Sequence, residues 1–122
     1  MMEEINRYIK DDDDIAFEFE LQSTPTNHQA WERYLNKWKQ QLMKGERSDD
    51  DVIWLYRRYT QQFRESSDVW KEYIDWITEH KISNYHTNLT DVYRLALHLV
   101  KGKFEIICVP FLKYAISLMD MT

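Results

Sequence analysis

Glycine and proline are scarce in this 122-residue chain, with two of each. So few turn-formers exclude a sandwich or barrel of many short strands and suit helices joined by short loops. Cysteine is scarcer still. The single Cys108 excludes an internal disulfide and permits a reducing compartment. Its neighbours Ile107 and Val109 are apolar, so a buried, inert thiol is expected rather than a nucleophile. No apolar run approaches the ~20 residues that a membrane span requires, and no signal peptide is visible, so no membrane partner is expected. A Gly-rich phosphate loop, a His-Glu-x-x-His run, paired cysteines and a Ser elbow are all missing. No catalytic residue, cofactor or metal site is therefore assigned, and the chain is expected not to be an enzyme.

Basic excess is missing too. The net charge is −5, and residues 1–24 hold eight acids and two bases, whereas residues 25–122 hold 13 acids and 14 bases. The acidity sits in a leader, residues 1–14 and what directly follows, and the body is nearly neutral. Nucleic-acid affinity grows from Lys and Arg that neutralise phosphates, so no direct nucleic-acid partner is indicated. A basic protein surface is the natural reader of the leader. Four adjacent carboxylates at Asp11 to Asp14 do not have the spacing of a Ca²⁺ loop, and no Gly follows them. They read as a solvated charge run whose last Asp caps the next helix.

What the chain does have is apolar and aromatic mass, 43% and 15% of residues, too much for a disordered segment. It recurs with a period. Trp70, Tyr73, Ile74 and Ile77 fall at helical offsets 0, 3, 4 and 7. Trp31, Tyr34, Leu35 and Trp38 repeat those offsets 39 residues earlier, and Phe111, Tyr114, Ala115 and Leu118 repeat them 41 residues later. A second marker lies between the copies: Ala16-Phe17, Leu55-Tyr56 and Val92-Tyr93. Phe17 precedes Trp31 by 14 residues, as Tyr56 precedes Trp70. Two markers with one period describe a helical-hairpin repeat.

Taken in order, Ile5, Tyr8 and Ile9 allow a short helix before Lys10. Ile15, Phe17, Phe19 and Leu21 alternate like a strand, but the 14-residue match decides for helix. Helices are then predicted over His28–Met43, Asp51–Arg64, Ser67–Lys81, Thr90–Val100 and Phe111–Met119. Ile53, Tyr56, the stem of Arg57 and Phe63 are expected to face inward, as are Val92, Leu95, Ala96 and Leu99. Ile82–Leu89 reads as a polar loop, Lys101-Gly102-Lys103 as a helix end, and Pro110 as the opening turn of the last helix. Trp31, Tyr34, Trp70, Tyr73, Tyr93 and Phe111 are expected to be mostly buried. His28, His80, His86 and His98 are scattered and read as solvated or capping. Glu72, Asp75 and Glu79 read as a solvated face, and the aromatic stripe reads as core rather than a platform for bases. Ile116, Leu118, Met119 and Met121 leave the last helix apolar, so the continuation of the chain or a partner helix is expected against it.

Trp31-Glu32-Arg33-Tyr34 and Trp70-Lys71-Glu72-Tyr73, each with a neighbouring Tyr-bearing helix, resemble the HAT (half-a-TPR) repeat, with Phe111-Leu112-Lys113-Tyr114 as a variant copy. Asp75 meets the acidic position of that repeat; Asn36 and Ile116 depart from it. The acid run, then Asp14 to Leu21, then Pro25 six residues before Trp31-x-Arg-Tyr, resembles the SYF/XAB-type splicing factors of the NineTeen complex. The resemblance implies an all-α, TPR-like α-solenoid over residues 15–122, a fragment of a longer arch. It also implies a nuclear, non-enzymatic scaffold that holds other splicing-complex proteins, HAT-repeat subunits included. Phe17, Trp31, Tyr34, Tyr56, Trp70, Tyr73, Tyr93, Phe111 and Tyr114 would carry the repeat. A HAT scaffold of RNA 3′-end cleavage or ribosome biogenesis, or a small helical RNA-binding protein, are the other classes such a sequence admits.

Overall fold

The computed structural model describes residues 7–80, 85–100 and 105–120, and side chains for 7–80, 89–100 and 105–116 of these. They form six helices: α1 (Asp12–Ser23), α2 (His28–Met43), α3 (Asp49–Gln62), α4 (Ser67–His80), α5 (Tyr85–Leu99) and α6 (Glu105–Asp120). No strand occurs among the described residues, so the class is all-α. The chain divides into two compact units, residues 1–62 and 63–122.

In the first unit α1 and α3 both pack on α2. Asn27 starts α2, its side chain accepting from the backbone N–H groups of Gln29 and Ala30 at 3.1 and 3.3 Å. Gly45 ends it. Gly45 adopts φ +78°, and the N–H groups of Gly45 and Glu46 donate to the carbonyls of Leu42 and Gln41. That pairing closes the last helical turn in a left-handed cap, where glycine alone carries no Cβ penalty. Contacts run in reverse order along the helix pairs. Phe17 stacks on Tyr34 while Asp14 reaches Trp38, and Tyr59 stacks on Trp31 while Trp54 stacks on Trp38. Both pairs are therefore antiparallel. Ala30, Trp31, Tyr34, Leu35 and Trp38 supply the α2 face of the core, met by Val52, Leu55, Tyr56 and Tyr59 of α3.

The expected span of α2 is met at both ends. On α3, Ile53 and Tyr56 are buried as expected, but the rest of the inward face differs. Arg57 is exposed, Phe63 is half-buried beyond the helix end, and Val52, Leu55 and Tyr59 take the inward positions. At α1, Asp11 rather than Asp14 is the cap, its carboxylate accepting from the Asp14 N–H at 3.0 Å. Arg7 and Tyr8 are helical, but most of the short helix expected before Lys10 lies outside the described residues.

In the second unit, Ser66 Oγ accepts from the Val69 N–H at α4's start, and Val69, Trp70, Tyr73, Ile74, Trp76 and Ile77 are buried. The α5 and α6 helices pack on α4 and on each other. Tyr93 stacks on Phe111 and Thr90 meets Tyr114, which makes that pair antiparallel too. Two helices begin earlier than expected. Tyr85–Leu89 belongs to α5 rather than to a loop, because Leu89, Tyr93 and Ala96 at offsets 0, 4 and 7 form the buried stripe. Leu95, expected inside, is 42% exposed. Helix α6 starts at Glu105, which leaves Pro110 inside it, because the preceding turn buries Ile107. Phe111 and Cys108 are half-buried rather than buried. Residues 81–84 and 101–104, including the expected helix end at Gly102, lie outside the described residues, as do the side chains of Leu118 and Met119 and all of Met121. Truncating a buried aromatic such as Trp38 or Trp70 to Ala costs ~3–5 kcal/mol, more than a surface ion pair such as Lys71–Asp75 contributes.

Candidate functional site

The face that α1 turns inward is acidic. Asp14, Glu18 and Leu21, at offsets 0, 4 and 7, are its buried residues. Asp14 is fully enclosed and accepts from Trp38 Nε1 at 2.8 Å, from Lys37 Nζ at 2.6 Å and from Arg47 Nη2 at 2.6 Å. The Lys10 N–H donates to it as well. Burial works against its charge, but the hydrogen bonds from Lys37 and Trp38 outweigh that cost and hold the carboxyl below the usual carboxylate range. Burial disfavours the Lys37 ammonium too, yet Asp11 and Asp14 together raise its pKa. Arg47 is buried, lies 3.7 Å above the Trp38 ring, and donates to Gln41, Asp51 and the Tyr8 carbonyl. Five donors in a rigid fork suit a guanidinium to this many acceptors.

One turn along α1, Glu18 repeats the arrangement. It accepts from Tyr34 Oη at 2.8 Å and from both terminal nitrogens of Arg58 at 2.7 and 2.8 Å. Arg58 lies over the rings of Trp54 and Trp31 at 4.7 and 5.5 Å. Burial, then the nearby Glu18 carboxylate, pushes the Tyr34 phenol well above its ordinary pKa. Both carboxylates have their oxygens engaged by donors within the fold. Among the described residues no group of three or more His, Cys, Asp or Glu side chains could hold a metal ion.

Beside this ladder, lined from α1, the loop after it, α2 and α3, lies an open cleft of about 620 Å³. Leu21, Pro25, Trp31 and Trp54 form its apolar lining, and Arg57, Gln22, Gln61 and Gln62 stand at its polar edge.

The residues expected to carry the repeat fall into two groups. Trp31, Tyr34, Tyr56, Trp70, Tyr73, Tyr93 and Tyr114 are buried; Phe17 and Phe111 are half-buried. The two tryptophans share a latch. Trp31 Nε1 donates to the Pro25 carbonyl at 2.9 Å and Trp70 Nε1 to the Arg64 carbonyl at 2.8 Å, six residues back in each case. Each indole thereby ties its helix to the preceding loop. Sequence reasoning missed Asp14, Glu18, Arg47, Trp54 and Arg58. The signal available was the 0, 4, 7 spacing of Asp14, Glu18 and Leu21, a helical core stripe with acids in two places.

Comparison with known proteins finds similarity along nearly the whole chain. The chain is 35% identical over 121 residues to pre-mRNA-splicing factor SYF1 of Candida glabrata, a match covering 98% of the chain and 14% of that protein. It is 30% identical over 117 residues to pre-mRNA-splicing factor SYF1 of Saccharomyces cerevisiae, covering 96% of the chain and 13% of that protein. The chain thus spans about a seventh of the length of these relatives. No protein-family model matches it, and no solved structure matches. Along nearly its whole length the chain is thus similar to one region of the SYF1 proteins, and its described residues are all-helical.

Proposed function

We propose that the chain is a non-enzymatic, helical-repeat part of a pre-mRNA splicing scaffold that works in the nucleus by holding other splicing proteins. The carrying observation is similarity to SYF1 along 98% of the chain. The buried Trp and Tyr stripes support the reading, because such stripes build a stack whose outer faces remain available for partners. In this reading residues 15–122 belong to a longer arch whose further helices or partner proteins meet the apolar α6, and residues 1–14 form an acidic leader. Among the described residues of that leader Asp11, Asp12 and Asp13 are exposed, and Asp11 and the buried Asp14 both engage Lys37. The test is deletion of this segment from the full-length gene under conditional expression. Intron-containing transcripts should accumulate unspliced while intronless ones stay level. Unchanged intron removal, or a defect confined to RNA 3′ ends, would sink the proposal.

A further inference from the structure

We infer that the cleft between α1 and α3 is a docking site for a short acidic segment of a partner protein, its carboxylate meeting Arg57 and an apolar side chain meeting Trp54 and Pro25. This reading stands independently of a role in splicing. It begins with a charge that the fold leaves over. The cleft holds one acid, Glu18, already bound by Tyr34 and by both nitrogens of Arg58. Arg58 is thereby satisfied as well. Arg57, its chain neighbour, is exposed and has no ion pair among the described residues. The cleft therefore carries one uncompensated positive charge beside an apolar wall.

An exposed cation next to apolar surface is ordinary; three features make this one a site. The first is shape, since the open cleft of about 620 Å³ has room for a few side chains but no enclosed pocket for a small metabolite. The second is hydrogen-bonding capacity. Gln22, Gln61 and Gln62 are exposed along the edge, and each amide offers both a donor and an acceptor. Such an edge serves the alternating N–H and C=O groups of an extended peptide. The third is charge contrast. The first unit holds 13 acids and nine bases, so Arg57 is a positive spot on an acidic body. Asp49, Asp50 and Asp51 sit at the opposite end of α3, and at 1.5 Å per residue Asp51 is roughly 9 Å along the axis from Arg57. That is about a Debye length at physiological salt, so the local attraction survives. With Arg58 paired to Glu18, Arg57 alone can meet an anion, which suits one carboxylate beside an apolar side chain rather than the row of phosphates that RNA presents.

Fluorescein-labelled peptides with one Leu or Phe amid Asp and Glu are the probes, titrated by anisotropy against the 122-residue chain. Matched Asn/Gln peptides and a labelled oligouridine are the comparison probes. Acidic peptides should bind, more weakly as salt rises, and Arg57→Glu should weaken them roughly tenfold or more. Arg94→Glu, on the exposed face of α5, should leave binding unchanged. Circular dichroism melts should show Arg57→Glu folded like the parent, since Arg57 is exposed. No binding by any acidic peptide, equal binding by the Asn/Gln set, no effect of Arg57→Glu, or tighter binding of oligouridine would each overturn the inference.

Discussion

In the first unit α1 meets α2 through Asp14 and Glu18, carboxylates exposed by only 0% and 7%. In the second, α5 meets α6 through Tyr93 stacked on Phe111, with Leu89, Ala96 and Ile107 buried around them. Both units share the Trp-x-x-Tyr stripe and the indole latch on the preceding loop. They differ in how the neighbouring helix is attached. Apolar burial gives strength but little direction, because a helix can slide along a greasy face at small cost. A buried carboxylate that must meet Trp38, Lys37 and Arg47 together tolerates one register. Sliding α1 by one residue would strand a charge in the core, which is far costlier than a misplaced methyl group.

The comparison is broken most severely by removing one side of the ion network. Arg47→Ala should destabilise the first unit by ~3–5 kcal/mol, because it removes one of the two cations on the buried Asp14 and leaves one of its oxygens without that partner. Arg94→Ala in the second unit should leave the urea midpoint where it was, since Arg94 is exposed. Hydrogen exchange with mass spectrometry localises the loss: α1 amides should lose protection first. Equal losses from both variants would mean that the network merely decorates the surface.

A smaller effect separates two tyrosines. Tyr34→Phe deletes a donor to the charged Glu18 and should cost ~1.5–3 kcal/mol, whereas Tyr114→Phe removes a neutral contact to Thr90 worth ~0.5–1.5 kcal/mol. Urea denaturation of the two variants orders them, and the reverse order would contradict the contrast between the units.

Acid sharpens the same contrast. The folded pKa of Asp14 lies below its unfolded value of about 3.9. Its contribution is therefore present above that value and lost as pH falls through the folded pKa. Lys37 is the mirror case. Its folded pKa is raised, so its contribution is full below about 10.4 and lost as pH rises through the folded value. Exchange measured from neutral pH toward pH 3 should loosen α1 before α5. Simultaneous loosening would show that acid acts on the whole chain.

How much of this was legible in the sequence depends on where each partner lies. The spans of α2 and α4 followed from local signals: the 3.6-residue stripe, Asn27 or Ser66 before it, and Gly45 after α2. The face of α1 did not. Periodicity assumes that apolar residues point inward, yet Ile15 and Phe19 are 43% and 67% exposed while Asp14 and Glu18 are inside. What turns α1 over is Arg47 and Arg58, 33 and 40 residues away in sequence. The same holds for Arg57 and Arg58, adjacent and chemically identical. One is exposed and the other braced between Glu18 and two indoles, and only the tertiary neighbour decides which. The groove was equally hidden, since Leu21, Trp31 and Arg57 meet only after three helices are in place.

The smallest effect on stability comes from the outward face of α6. Counting from the first aromatic of each Trp-x-x-Tyr copy, positions −2, +1 and +5 are Gln29, Glu32 and Asn36 in α2 and Asp68, Lys71 and Asp75 in α4. All six are polar, and four are exposed. In α6 the same positions are Val109, Leu112 and Ile116, exposed by 48%, 56% and 58%. They fall at offsets 0, 3 and 7, so they form one continuous stripe. Contiguous exposed apolar surface at positions that two other copies keep polar favours association in water. The 122-residue chain should therefore sediment with a concentration-dependent mass at high micromolar concentration. Leu112→Glu together with Ile116→Lys restores the polar pattern of α2 and α4. Because both side chains already face water, each substitution should change the stability read from urea unfolding by less than about 0.5 kcal/mol, yet the pair should return the chain to a monomer. A parent chain that is monomeric throughout would show that α6 tolerates its stripe without a neighbour, and the expected contact at this helix would lose its physical basis.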